Sequence, residues 1–366
     1  MKSSFVHHFD PFAIEFTWSP LVSIFGEGVG IRWYGLAYLT GFLCAYLVVL
    51  YMAKKGTIEL KPEKVGDFIT YGAIGTMVGG RLGYAFFYAP ELLWTIHAKF
   101  PYWGVLEVHK GGMASHGGIL GIVVACFLYA KVNKLNPLQL IDLTSLMGGV
   151  GIFFGRMANF VNGELFGRVC DEGYRWAVKF PTEMYYWASY KVDKLKSLEP
   201  AAMFIGKVKN GSQEIIVDHD KWSYWVDRYQ FGGLSKASVD YVIHKSEVMV
   251  QAGNQEMINI MAQVLSPRYP SQIFQGLLEG LCVFVLLSLF WMKPRKPGMI
   301  TAAFGFLYSL ARILGEQYRM PDAFIGFELF GLTRGQWLSF GLLGIAVVFF
   351  IIAWKSKSQP SGGFSK

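Results

Sequence analysis

Charge is scarce in this chain. Asp, Glu, Lys and Arg make up 16% of its 366 residues, against about 25% in a soluble domain. With 53% hydrophobic residues alongside, an ordinary soluble enzyme is excluded. Cysteine is scarcer still: there are 4, too few for a disulfide framework. Cys44, Cys126 and Cys282 fall inside apolar runs and Cys170 stands alone, so none has metal-ligand spacing. No Gly-x-Ser-x-Gly elbow, His-Glu-x-x-His pair or Walker loop occurs, so those chemistries have no support. Asp218-His219-Asp220 is the one trio with metal-binding residue types, and it reads better as a solvated loop. No signal peptide is expected, because Lys2 is followed by polar and acidic residues.

What the chain does have is aromatics and glycine: 30 Phe, 19 Tyr, 11 Trp and 42 Gly. In a bilayer aromatics anchor at the interfaces and glycine lets helices approach closely. Seven apolar runs are long enough to cross about 30 Å of hydrocarbon, near 32–53, 66–88, 112–132, 138–160, 272–292, 299–317 and 334–354. Gly72, Gly75, Gly79, Gly80 and Gly83 in the second, and Gly117, Gly118 and Gly121 in the third, have spacings that suit a close crossing.

Lys and Arg in the short flanks set the orientation. Twelve of them, against Glu59 and Glu63 alone, lie in the links 54–65, 131–137 and 293–298 and in the Ser/Gly/Pro tail after Trp354. With seven spans these four segments share one side, which is expected to be cytoplasmic, with the N-terminus outside. They carry more than the whole net charge of +8, so the basic balance reports topology and not nucleic-acid binding. The expected organisation is a helical membrane body of 1–160 and 271–366, with residues 161–270 inserted as an outer arm. Short alternating segments such as Tyr174–Phe180 and a turn in Lys207–Ser212 suggest a small α/β or otherwise β-containing fold for the arm.

Ionisable residues inside spans are costly, so each is a candidate for function. Tyr34, Arg81, His116, Arg156, Asn159, Arg312, Glu316 and Arg319 all fall near outer span ends, followed by Asn162 and Glu164. At about 1.5 Å per residue this level is on the order of 6–10 Å deep, the depth of a phospholipid's phosphate and glycerol. Arg312, Glu316 and Arg319 at i, i+4 and i+7 share one helix face, and Arg exceeds carboxylate, so an anionic ligand is expected. For Arg32, Arg81 and Arg268, snorkelling to headgroups is the competing reading. His116 stands among glycines in Gly111–Gly121, where a neutral-pH base for a thiol or hydroxyl has room to act.

Six motifs carry a resemblance over all seven spans. They are Ile31–Gly35, Gly79–Tyr84, Gly112–Gly121, Gly155–Arg168, Tyr269-Pro-Ser-Gln272 and Arg312–Asp322. Gly155-Arg-Met-Ala-Asn-Phe-Val-Asn-Gly-Glu164 is the most specific. The chain resembles the prolipoprotein diacylglyceryl transferases, bacterial inner-membrane enzymes. The resemblance implies an all-α polytopic fold of seven transmembrane helices with a periplasmic arm. It implies transfer of the diacylglyceryl group of phosphatidylglycerol to a lipobox cysteine of a prolipoprotein, with glycerol-1-phosphate released, and calls for no cofactor or metal. It makes His116, Arg156 and Arg312 catalytic, and Tyr34, Arg81, Asn159, Asn162, Glu164, Glu316 and Arg319 substrate-binding. The family's His-Pro-Ser-Gln-Leu-Tyr-Glu reads here as Tyr269–Gln275, Ala158 replaces a glycine, and the arm is longer than expected. The competing class is a transporter or flippase of anionic lipids or solutes, which would place polar groups at the midplane and show internal symmetry.

Overall fold

The computed structural model describes residues 5–16, 30–98, 101–107, 111–210, 213–321 and 326–364. Lys2, Gly211, Ser212, Asp322 and Lys366, on which the sequence reading drew, lie outside the described residues. The chain is mostly helical and polytopic. Helices α1 (Trp33–Lys54), α2 (Val65–Phe87), α3 (Ser115–Asn133) and α4 (Pro137–Val161) precede the long insertion. Five shorter helices occupy it: α5 (Glu183–Tyr190), α6 (Glu199–Ile205), α7 (His219–Asp227), α8 (Gly233–Gln251) and α9 (Gln255–Val264). After it come α10 (Ser271–Phe290), α11 (Met299–Gly315) and α12 (Arg334–Lys355). Helix α10 contains a π-helical stretch, Gly276–Cys282.

Among the described residues, α1, α3, α4, α10 and α12 are long and apolar enough to cross a membrane. Helix α11 is apolar but has 17 residues, about 25 Å of rise. Helix α2 has length to spare at 23 residues, but its glycines and Arg81 dilute its hydropathy. Helix α1 exposes Leu39, Leu43 and Leu47, and α12 exposes Ile345, Val348 and Ile352, as a lipid-facing surface requires.

Two compact units divide the chain. The first is Met1–Ala37, Gly155–Leu277 and Arg312–Trp337; the second is Tyr38–Phe154, Leu278–Ala311 and Leu338–Lys366. In the second, Val49, Met52, Phe68, Tyr129, Leu140, Leu143, Leu287 and Trp291 are among the buried side chains of one core. Helices α2 and α3 cross at glycine. A Cβ on Gly79 would stand 2.3 Å from the Gly117 carbonyl oxygen and 2.7 Å from Gly121 Cα, so neither helix tolerates a side chain at the crossing. Asp142 caps α11: its carboxylate accepts the Gly298 N–H at 2.7 Å, and the Thr301 N–H and hydroxyl at 2.8 and 2.7 Å. A helix start leaves such N–H groups without partners in the helix itself.

The first unit contains the insertion, which has its own core of Met184, Trp187, Leu195, Trp222, Trp225, Val239, Val242, Ile243 and Met261. Asp218 begins α7 by accepting the Lys221 N–H at 2.8 Å, and Asn254 begins α9 by accepting that of Met257 at 2.9 Å. The insertion is more helical than its alternating segments suggested. Of Tyr174–Phe180 only Val178–Lys179 (β4) is strand, because Tyr174 accepts the Ala177 N–H and closes a turn there. The Lys207–Asn210 (β5) and Gln213–Ile216 (β6) pair is antiparallel, flanking the expected turn. Strand β1 (Phe5–Val6) pairs in parallel with β4, and β2 (Phe12–Glu15) antiparallel with β3 (Gly30–Arg32). Isolated bridges Val178↔Arg268, Val169↔Arg268 and Gly167↔Arg319 extend the β1–β4 pair. The buried Arg268 guanidinium crosses this ribbon to the fully buried Glu183 carboxylate, at 2.9 and 2.5 Å. Arg268 is therefore held by protein and does not snorkel.

Candidate active site

The last turn of α4 and the loop after it place the signature residues. Arg156 and Asn159 are i, i+3 neighbours near the helix end. Asn162 and Glu164 lie in a tight turn, with the Glu164 N–H returning to the Asn159 carbonyl at 2.9 Å. The turn has Gly163 at φ +66° and Leu165 at φ +53°, and the second is costly for a residue with a branched side chain. Tyr34, in the first turn of α1, donates its hydroxyl to Glu164 Oε2 at 3.1 Å and accepts from Asn159 Nδ2. Asn162 Nδ2 reaches Glu164 Oε1 at 3.5 Å. Four predicted residues thus form one network, in which Asn159 is buried and Glu164 exposed.

A second network in the same unit is built on Glu316, which is 1% exposed. Its Oε1 receives Arg312 Nη2 at 2.7 Å and Arg319 Nη1 at 3.1 Å. Its Oε2 accepts the Thr333 hydroxyl at 2.8 Å. One carboxylate therefore fixes two guanidinium groups, and the trio keeps a net positive charge in a mostly buried setting. That is a counter-ion for an anion with a protein-made orientation.

The two networks are joined by backbone. Four residues past Glu164, the Arg168 N–H donates to the Tyr318 carbonyl at 2.9 Å. The Arg168 guanidinium donates to the Arg319 and Glu316 carbonyls at 3.0 and 3.2 Å. Arg168 stands in the signature motif, but nothing in the sequence points to this role for it, and a lone threonine such as Thr333 in a loop carries no signal of a carboxylate partner. Ser271 and Gln272 of the Pro-Ser-Gln motif hold the signature loop by its carbonyls: Ser271 Oγ donates to Leu165 O at 3.1 Å and Gln272 Nε2 to Glu164 O at 2.6 Å. Tyr269, where the family pattern has His, packs its ring on Tyr174 and Tyr318. Its backbone exchanges hydrogen bonds with Gly167 and Arg168. Gln275 is fully buried, and its carboxamide has no partner among the described residues.

Arg81 and His116 belong to the second unit. The Arg81 guanidinium is 5% exposed. It donates to the carbonyls of Val105 and Gly111 at 2.6 Å each, Gly104 at 2.9 Å and Gly112 at 3.0 Å. It ties down the glycine-rich approach to α3. His116 is the second residue of α3 and is exposed. The preceding Ala114 is anchored by its N–H to the Gly80 carbonyl at 2.9 Å.

A family model described as prolipoprotein diacylglyceryl transferase matches residues 21–352. The chain is similar to the phosphatidylglycerol–prolipoprotein diacylglyceryl transferase of Bdellovibrio bacteriovorus, 45% identical over 361 residues, covering 99% of this chain and 97% of the relative. It is 33% identical over 357 residues to the enzyme of that name from Burkholderia cenocepacia, with 96% of each chain covered. With that of Neisseria gonorrhoeae it shares 30% over 345 residues, 94% of this chain and 96% of the relative. With the signature residues gathered around Glu164 and Glu316, and the match running nearly end to end, the chain belongs to the prolipoprotein diacylglyceryl transferase family.

Proposed function

We propose that this chain transfers the diacylglyceryl group of phosphatidylglycerol to the lipobox cysteine of prolipoproteins, the first step of bacterial lipoprotein maturation. The cysteine sulfur attacks the glycerol carbon that bears the phosphoester, the carbon–oxygen bond breaks, and glycerol-1-phosphate leaves as a thioether forms. The observation that carries this reading is the Arg312–Glu316–Arg319 trio, a cationic cluster tied through Arg168 to the loop that carries Glu164 and suited to a departing phosphate.

Arg156 and Arg312 stabilise the phosphate, where donors aimed at developing charge are worth most. Glu316 orients Arg312 and Arg319. Tyr34, Asn159, Asn162 and Glu164 position the headgroup. His116 takes the thiol proton, from a group whose free pKa is about 8.5. Arg81 acts indirectly, by shaping the segment before His116. The chain spans the inner membrane seven times, with α2 and α11 completing the five clearer spans. Its N-terminus and the 161–270 arm are periplasmic, its C-terminus is cytoplasmic, and the site faces the outer leaflet. Support for this comes from the Lys/Arg flanks and the one-sided placement of polar residues.

The test is purified protein with phosphatidylglycerol and a lipobox peptide. Glycerol phosphate release with a matching mass gain on the peptide cysteine supports the reading. Lipid movement between leaflets without either product would replace it with transport.

A further inference from the structure

The turn that carries Asn162 and Glu164 is gripped from outside the motifs. The Phe160 carbonyl accepts His7 Nε2–H at 2.7 Å, so the ring carries its proton on that nitrogen. The same carbonyl accepts the Gly163 N–H at 2.9 Å. Thr182 Oγ1 donates to the Gly163 carbonyl at 2.6 Å. With Gln272 on Glu164 O and Ser271 on Leu165 O, side chains from three separate stretches of chain hold four carbonyls between Phe160 and Leu165. His7 is 4% exposed and lies edge-on to Phe9 and Phe160, with Phe180 on another side. It directly follows β1, which is fixed by pairing with β4, and its N–H donates to the Lys179 carbonyl at 2.9 Å. Thr182 follows β4 by three residues, so both grips come from one pair of strands.

We propose that His7 and Thr182 are positioning residues for the reaction, holding the strained Asn162–Leu165 turn so that the Glu164 carboxylate meets Tyr34. Leu165, which follows Glu164 at φ +53°, needs such restraint, because a relaxed turn would release it from the left-handed region. Neither residue touches the reacting atoms. They act through Glu164, and the inference rests on the transferase reading given above.

The experiment compares His7→Phe, which keeps the aromatic box and deletes the donor, with His7→Gln, whose amide nitrogen can occupy the place of Nε2. Thr182→Val and Thr182→Ser form the matching pair. Phosphatidylglycerol and a lipobox peptide are the substrates. His7→Phe and Thr182→Val are expected to lower kcat on the order of 10-fold or more with KM for lipid changed by less than about 3-fold. His7→Gln and Thr182→Ser recover most of the rate. In a Glu164→Gln background His7→Phe should cost little more, since both act on one group. Amide hydrogen exchange across 160–165 should rise in His7→Phe and stay low in His7→Gln, a readout that does not depend on turnover. Equal rates in the Phe and Gln variants, or full additivity with Glu164→Gln, would overturn the proposal. Should His7→Phe not fold, the threonine pair decides. A wild-type protein without turnover would sink the transferase reading instead, leaving the exchange comparison to judge the grip.

Discussion

The Tyr34 hydroxyl donates to Glu164 Oε2 at 3.1 Å across 130 residues of sequence. It joins the first turn of α1 to the loop that ends α4, and Asn159 donates to the same hydroxyl. Tyr34 thus serves as acceptor and donor at once, which only a hydroxyl at that place can do. Tyr34→Phe is expected to lower kcat/KM by about 10- to 100-fold with the fold intact, and Glu164→Gln to do the same. In the double variant the losses should not add, with a coupling of about 0.5–3 kcal/mol as for residues sharing one network. Steady-state glycerol phosphate release for the four proteins measures this; additive losses would mean the two side chains work separately.

Glu316 is the hinge of the cationic trio. Replacing it by Ala takes from Arg312 and Arg319, each 12% exposed, the carboxylate that both of them share. Breaking such a pair costs about 3–5 kcal/mol in buried settings. Glu316→Ala should therefore lower the thermal midpoint in detergent as well as abolish turnover. Thr333→Val removes one charge-assisted hydrogen bond to the same carboxylate and should cost about 1.5–3 kcal/mol, less than the loss of Glu316 itself, retaining measurable activity. Arg312→Lys should fail to restore a lost rate, since an ammonium cannot reproduce the guanidinium fork. A Lys variant near wild-type activity would show that charge alone suffices.

The helical body was legible because apolar runs of 17 to 25 residues leave few alternatives. The i, i+4, i+7 spacing of Arg312, Glu316 and Arg319 suggested one helix face. Helix α11 ends at Gly315, however, and Arg319 bridges to Gly167, so Glu316 gathers the two arginines at a turn past the helix end. The glycine spacings in α2 and α3 did give the crossing. The insertion was harder to read. Its buried set in α8 includes Ser235, Ser238 and Ser246 among Val239, Val242 and Ile243, so small polar residues at core positions hid the helical period. The side chains that grip the signature loop lie far from it in sequence, and a backbone carbonyl as partner leaves no complementary residue type to look for.

The α2–α3 crossing sets a steric limit that single substitutions can read. Gly117→Ala would place a Cβ 2.2 Å from the Gly79 carbonyl oxygen, and the backbone cannot yield there without separating the helices. The expected outcome is a protein that extracts poorly or melts well below wild type. Gly66→Ala, on the same α2, meets nothing within 4 Å. It should be neutral or gain up to about 1 kcal/mol from helix propensity. Equal stability of the two variants would mean the helices do not cross at glycine.

His7 also makes a prediction in pH. Burial, more than its hydrogen bond to Phe160 or the charge of His8, governs its imidazole and takes its pKa from 6.5 down to about 4. Between those values the unfolded chain binds a proton that the folded chain refuses. The stability from this site is therefore complete above pH 6.5 and is lost as pH falls toward 4, by about 3 kcal/mol at most. His7→Gln has no proton to take. Its thermal midpoint should fall less steeply than that of wild type between pH 6.5 and 4.5, and parallel curves would show that His7 is not the group responsible.

The Ser/Gly/Pro tail reads as low complexity and yet ends in a structured clasp. Ser361 exchanges backbone hydrogen bonds with Arg295 at 3.1 and 2.8 Å, and its hydroxyl accepts Gln139 Nε2 at 2.8 Å. Gln139 in turn accepts the Glu59 N–H at 3.0 Å, and the Gly362 N–H donates to Thr57 O at 2.7 Å. One short segment thus fastens the loop before α2, the start of α4 and the link before α11. Gly362 is the residue this depends on. Its φ of +77° disfavours any side chain, and a Cβ there would stand 2.4 Å from the Trp291 ring. Gly362→Ala should release the clasp and lower the thermal midpoint by several degrees, as a loss of about 1–3 kcal/mol does. Truncation after Ser356 should do no worse, because both remove the same contacts. Turnover per folded molecule should hold in both variants, since the clasp touches none of the residues proposed for the chemistry. A truncated protein as stable as the full chain would mean that the loops hold together without the tail.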